Sequence, residues 1–493
     1  MRRSWIYAII NLLETKNRNA SEMTNLEQLP EDERSAILAD YFNLVRFPTV
    51  GTDPAHLRDC AQCAMWIREW LKPLGFVCEL VQAEGMAGAP PVLFAERPGA
   101  PNTPVVLFYG HYDVQPPDPL DEWNTPPFEP TLKDDGRVYA RGAQDDKGQW
   151  FAFLCGLKSL LKKDPSRPLP AIKIVLEGQE ESGSTALFRL LSRDARPVSG
   201  PDFPSRVKAD VLCVCDTSAA ADLRPAIIAG LRGVSHFTVR LEAANRDLHS
   251  GAYGGIAPNP AQGMAELIAS LHNPDGSIAV PGFCDSVTSP TDDERAAAEA
   301  SAPSDAAYEA DIGCPPVGGE SGLPPVVRNS FRPTIEVNGL HTGYGGPGSK
   351  TVIPQSAIAK LSMRLMPDQR PDDVMAFVEA HLRRNTPRGM KLFIEDVTGA
   401  AAGFRLPLAS PIFRLASALL EELDERGPVF LWDGASIPVV SALRHVSGAA
   451  PLLVGWGQPQ DRIHAPNESY GLDQFSRAMA WGEKLLSALA DPH

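Results

Sequence analysis

The sequence has no apolar stretch long enough to cross a bilayer, which takes about 18 continuous apolar residues. Its best early candidate, residues 5–13, follows Arg2 and Arg3, is broken by Asn11, and runs at once into Glu14 and Lys16 with no small-residue cleavage site. It reads as an N-terminal extension, neither anchor nor signal. Cysteine is sparse, eight in 493 residues. So few thiols build no disulfide framework and point to reduced cysteines in the cytoplasm. Cys60 and Cys63 form a lone C-x-x-C inside a helical pattern over residues 57–71, with no second pair, so buried structural thiols are expected there. Positive charge is in deficit: Lys+Arg 46 against Asp+Glu 61 gives a net charge of −15. That balance argues against a nucleic-acid partner and against a membrane surface. There is no internal repeat.

What remains is ordinary globular chemistry, 43% hydrophobic and 22% charged, in a chain long enough for roughly 2–4 domains. Short apolar runs at 105–109, 172–176 and 211–214 read as buried strands, alternating with helical patterns at 36–45, 57–71, 150–161 and 185–191. Such alternation indicates an α/β domain with a mostly parallel mixed sheet flanked by helices. Beyond residue 230 the pattern changes to strand (237–241), helix (260–271), strands (334–338, 359–366), helix (372–384) and strand (391–397). That order, βαββαβ, is a two-layer α+β sandwich. Residues 273–332 interrupt it with a stretch rich in Pro, Gly, Ser and acidic residues and with one short helix expected near 292–300. The α/β character then returns: helix 412–423, strand 451–454, helix 473–489. The first domain is therefore split, with the sandwich inserted. The expected boundaries are 1–30 for the extension, 31–230 and 399–493 for the two parts of the split α/β domain, and 231–398 for the insert.

Chemistry gathers where the strand runs end. His111 and Asp113 follow the first run, Glu180 and Glu181 the second, Asp216 the third, and His464 lies past the last. A further cluster, Arg141-Gly142-Ala143-Gln144-Asp145-Asp146-Lys147-Gly148, opens a helix. In open α/β sheets, sites form beyond the carboxyl ends of the strands. Imidazole mixed with carboxylate suits zinc, with manganese or cobalt as other candidates. Five ligands suit two ions bridged by one carboxylate. Along extended chain, His111 and Asp113 point the same way, so Asp113 can take the second ring N–H of His111 and fix its tautomer. The adjacent Glu180 and Glu181 cannot both aim at one point, which suggests one ligand and one general base.

Three segments carry a resemblance: His111-Tyr112-Asp113-Val114-Gln115-Pro116, the Arg141–Gly148 cluster, and Glu177-Gly178-Gln179-Glu180-Glu181-Ser182-Gly183-Ser184. They resemble, in order, the signatures of the dinuclear zinc peptidases, a superfamily that includes carnosinase-type dipeptidases, carboxypeptidase G, acetylornithine deacetylase and succinyl-diaminopimelate desuccinylase. The likeness runs across roughly residues 35–490 and is closest to the cytosolic dipeptidase branch. It implies that His111, Asp145, Glu181, Asp216 and His464 hold two divalent metal ions per subunit, with Asp145 bridging. It implies that Asp113 orients His111 and that Glu180 is the general base. In Asp247-Leu248-His249-Ser250-Gly251 it implies that His249 reaches the neighbouring active site of a homodimer, so that the inserted sandwich is a lid and dimerisation domain. Thr351, Arg364 and Ser436 would bind substrate, Arg364 by pairing with a carboxylate. Ala435 stands where these dipeptidases usually carry glycine, and its added Cβ is expected to crowd a backbone contact.

The implied function is hydrolysis of the amide bond of dipeptides or short peptides by a bridging hydroxide. The same chemistry would serve an N-acyl-amino-acid deacylase or a carboxypeptidase. A catalytically decayed binding protein is the reading from another class, and the presence of Glu180 with all five ligands speaks against it.

Overall fold

A strand covered on both faces is apolar without alternation, and the runs anticipated above form such strands. The computed structural model describes residues 26–192 and 202–490. Residues 1–25 of the expected extension lie outside the described residues. In chain order come β1 (Val77–Val81), β2 (Val92–Arg97), β3 (Val105–His111), β4 (Ala171–Glu177), β5 (Val211–Val214) and β6 (Ala226–Leu231). A second group follows: β7 (Gly233–Glu242), β8 (Leu248–His249), β9 (Thr334–Thr342), β10 (Val352–Ile353), β11 (Ser356–Leu365) and β12 (Lys391–Ala401). The chain later returns to the first sheet as β13 (Ala450–Leu453). Two compact units result. One takes the described residues up to Ala229, Pro407–Leu431 and those from Ala442 on; the other takes Gly230–Leu406 and Trp432–Ser441.

In the first unit the strand order is β1-β2-β4-β3-β5-β13-β6. The four central strands are parallel: β3 lies between β4 and β5, and β5 pairs with β13. Strands β1, β2 and β6 extend this core antiparallel. Helices α1 (Glu31–Val45), α2 (Leu57–Leu71) and α3 (Lys147–Lys163) belong to this unit, with a C-terminal helix over Leu472–Ala490. The backbones of α3 and the C-terminal helix approach closely. A Cβ on Gly156 would lie 2.2 Å from the Met479 carbonyl oxygen, and one on Gly482 would lie 2.4 Å from that of Phe153, so only glycine fits at either place. On α2, Cys60 and Cys63 are buried, and burial pushes their thiols up to about 12 and about 11. Both stay protonated and serve as small apolar side chains.

The second unit is built on a sheet of order β9-β11-β7-β12, antiparallel throughout. Phe237, Val239 and Leu241 alternate along β7 into a core shared with Met264 and Leu267 of α4 (Pro260–Ala269). Val374 and Val378 of a later helix (Pro371–Arg384) complete that core, so helices and sheet form the two-layer sandwich.

The stretch 273–332 corrects one expectation. It holds three helices, not one: α5 (Asp292–Ser301), α6 (Asp305–Ile312) and α7 (Pro325–Phe331). Their starts are set by caps. Thr291 and Glu294 form a capping box, Ser304 caps α6, and Pro325 occupies the first turn of α7. The same Ser and Pro residues that read as loop composition are here helix starts. Helix α6 has no buried residue, so it has no apolar stripe to betray it.

Residues Trp432–Ser441 also belong to the second unit, although they fall within 399–493. Ser330 Oγ donates to the Trp432 carbonyl at 2.8 Å, Arg232 Nε donates to that of Gly434 at 2.9 Å, and the Phe331 and Trp432 rings lie 5.2 Å apart. These ties span about a hundred residues or more of sequence, which local pattern does not report.

Candidate metal centre

Three of the four central parallel strands, β3, β4 and β5, end within four residues of an anticipated His, Glu or Asp, while His464 lies farther past β13. Strand β3 ends at His111, which is 1% exposed. Its Nδ1 lies 3.1 Å from the Asp113 backbone carbonyl oxygen and 3.4 Å from Asp113 Oδ1. A carbonyl can only accept, so Nδ1 carries a proton and, in the neutral ring, Nε2 is the nitrogen free to ligate. Nε2 faces Asp145 Oδ1 at 3.2 Å and Asp216 Oδ2 at 3.8 Å. The tautomer is thus set as much by the Asp113 main chain as by its side chain. The fully buried Asp113 carboxylate also holds backbone: Oδ1 accepts from the Glu180 N–H at 3.2 Å and Oδ2 from the Glu181 N–H at 3.1 Å. It ties the end of β3 to the turn after β4.

Asp145 sits just ahead of α3 and divides its oxygens. Oδ1 meets His111, and Oδ2 lies 2.8 Å from Nε2 of His464. His464 Nε2 is also 3.4 Å from Glu181 Oε1, and the other Glu181 oxygen accepts from Gln115 Nε2 at 2.7 Å. His464 itself holds a left-handed backbone, φ 59°, an arrangement rarely adopted without a compensating contact. Two groups of donor atoms converge, each within 4.8 Å of one another: His111, Asp146 and Asp216, and Asp145, Glu181 and His464.

The carboxylates crowd one another at this centre, and their electrostatics show it. Burial, then repulsion from Asp145, pushes Asp216 up to about 7. Burial, with Asp216 next, holds Asp146 well above the usual carboxylate range. Burial drives Glu180 up to about 8, against the pull of His111 and with the help of Asp216 and Glu181. Burial works the same way on Asp145, but hydrogen bonds from His111 and His464 outweigh it and hold this carboxyl low. Those on His464, to Asp145 and Glu181, raise the imidazole to about 10. Protons stand where cations would otherwise sit. Two imidazole Nε2 atoms, four converging carboxylates and a buried Asp146 Oδ1 with no hydrogen-bond partner fit a pair of divalent ions.

Asp146 and Gln115 also lie at this centre, although sequence pattern did not single them out. Asp146 Oδ2 accepts from the His111 backbone N–H at 3.3 Å, so the second of the two adjacent aspartates also faces this centre. The Asp-Asp pair was its signal. Gln115 stands two residues past Asp113, with nothing to mark its partner 66 residues on.

The remaining anticipated residues lie in the second unit. His249 is exposed on β8, opposite Val352 of β10, and its Nδ1 accepts from the Gly251 N–H at 3.0 Å. Thr351 is next to that ladder, its carbonyl accepting from the Ser250 N–H at 3.1 Å. Arg364 and Ser436 meet directly: Nη1 donates to Oγ at 3.0 Å, and Oγ donates to the Arg232 carbonyl at 2.5 Å. Ala435 is exposed, its N–H donating to Asp433 Oδ1 at 2.8 Å. The crowded position is Gly434, where a Cβ would lie 2.2 Å from Asn329 Oδ1.

Residues 107–488 match peptidase family M20/M25/M40. The chain is 28% identical over 401 residues to the Cys-Gly metallodipeptidase dug1 of Schizosaccharomyces pombe, covering 79% of this chain and 81% of that protein. It is 30% identical over 385 residues to the Beta-Ala-His dipeptidase of Homo sapiens, covering 77% and 73%. Among solved structures, an M20 family metallo-carboxypeptidase from Sulfolobus solfataricus superposes with a TM-score of 0.78 at 26% identity, covering 94% of this chain and all of that one. The chain belongs to peptidase family M20/M25/M40 and is a metal-dependent peptidase.

Proposed function

We propose that this chain is a dipeptidase working with two divalent ions, zinc by donor chemistry, with manganese and cobalt as the other candidates. The observation that carries the reading is Asp145, one carboxylate with an oxygen on each of two imidazoles. Asp145 would be shared between the two ions, with His111 and Asp216 as the other ligands of one and Glu181 and His464 as those of the other. Bound ions supply Lewis-acid polarisation of the scissile carbonyl and acidify the attacking water. Glu180 belongs to neither group of converging donors, which leaves its carboxylate free to take the water's proton and return it to the leaving amine. Arg364, steadied by Ser436, pairs with a substrate carboxylate, and Thr351 adds a polar contact. In a homodimer the exposed His249 serves the second copy's site, where it steadies the oxyanion. The second unit is then both lid and dimer interface, and the sparse cysteines suit a cytoplasmic enzyme.

Dipeptides are favoured because two relatives are a Cys-Gly and a Beta-Ala-His dipeptidase. The Sulfolobus neighbour favours a carboxypeptidase as the second reading, and an N-acyl-amino-acid deacylase shares the chemistry. The purified protein should contain two divalent ions per chain by elemental analysis. It should cleave members of a dipeptide panel faster than acetyl- or succinyl-amino acids and faster than longer peptides. Activity should vanish with a chelator and return with zinc. Release of carboxy-terminal residues from long peptides, with dipeptides left intact, would replace this reading by the second one.

A further inference from the structure

His464 and Asp145 touch although 319 residues separate them in sequence. Four residues past His464 lies Glu468, fully buried. Its carboxylate accepts four hydrogen bonds from one short loop. Oε2 takes Arg141 Nη1 at 2.7 Å and the Gly142 N–H at 3.0 Å; Oε1 takes the Gln144 N–H at 3.0 Å and the Asp145 N–H at 3.1 Å. The Glu468 carbonyl oxygen accepts a fifth, from the Ala140 N–H at 3.1 Å. A carboxylate offers about four acceptor positions, and here every one is taken. The charge is balanced in place by Arg141, itself 1% exposed, whose Nη2 donates to the Pro116 carbonyl at 3.2 Å.

We infer that Glu468 is a positioning residue that sets where the Asp145 carboxylate stands between His111 and His464. The inference rests on the reading of Asp145 as the bridge between two ions. Its bonds end on the amide of Asp145 itself and on that of the residue before it. They fix the backbone from which the Asp145 side chain departs. The same chain segment carries His464, so one buried carboxylate sets the distance between two ligands drawn from distant parts of the sequence. No residue that merely filled space would need both oxygens. A glutamine of the same shape keeps one acceptor and turns its NH2 toward two N–H donors, so half the grip is lost without creating a cavity.

The test is Glu468→Gln beside Glu468→Asp, read by zinc affinity against a chromogenic chelator, by thermal melting, and by kcat and KM on a cleaved dipeptide. Glu468→Gln should remain folded, bind zinc about 10- to 100-fold more weakly, and lose kcat with KM unchanged. Excess zinc should restore part of that kcat. Glu468→Asp keeps both oxygens on a shorter stem and should fall between Gln and wild type. If the Gln variant does not fold, the Asp variant is read alone against the same expectation of weakened zinc binding. A folded variant with lowered melting temperature but wild-type zinc affinity and kcat would reduce Glu468 to a structural role and overturn the inference. Wild-type protein that binds no divalent ions would instead overturn the dinuclear reading, so the two failures are distinguishable.

Discussion

Glu180→Gln should lower kcat by about 10²- to 10⁴-fold while leaving the bound metal at its wild-type amount. The change keeps size and shape and removes only the ability to take a proton. Glu180 belongs to neither group of converging donors, so its loss removes no ligand. Its backbone N–H is held by Asp113 Oδ1, a bond the substitution leaves intact. The expected loss corresponds to about 3–5 kcal/mol of activation free energy, the range that general base catalysis provides. Elemental analysis and kcat on the same preparation check it. Near wild-type turnover would place the base elsewhere, and loss of metal together with turnover would make Glu180 a ligand.

Asp145→Ala should have the larger consequence, because it removes the one carboxylate that, among the described residues, touches both imidazoles. Zinc affinity should fall by more than the roughly 10- to 100-fold that losing an outer hydrogen-bond partner costs. Stoichiometry should drop below two ions per chain. Activity should be lost along with the metal, and added zinc should not bring it back. An unchanged stoichiometry of two would reject the bridging role. His464 gives the reason for expecting a shared effect: with Asp145 gone, its Nε2 keeps only Glu181 Oε1, at 3.4 Å.

Much of this centre is legible in the sequence, and the reason is topological. In a parallel core each strand points its carboxyl end the same way, so residues that follow the apolar runs must gather. His111 follows the apolar run of β3 without a wide gap, Glu180 and Glu181 come three and four residues after β4, and Asp216 comes two after β5. The antiparallel flanks are less legible. Strand β1 grades from exposed Val77 to buried Val81 over five residues with no alternation, too short to separate from helix or loop by periodicity. In the second unit the alternation along β7 is legible because one face meets helices. The helices of 273–332 are not, because caps rather than an apolar stripe define them.

By itself the sequence determined the α/β order, the inserted sandwich, and the kinds of side chain that each strand end delivers. Those follow from local periodicity and from chain direction, which neighbouring residues encode. Only the tertiary structure decided which atoms meet. It put the Asp113 carbonyl rather than only its carboxylate on His111, brought Asp146 to face the centre, and gave Gln115 to Glu181. It also closed Glu468 on Arg141 across 327 residues. Buried polar groups must find hydrogen-bond partners, but the partner is whichever group folding brings within about 3 Å, and no local pattern carries that information.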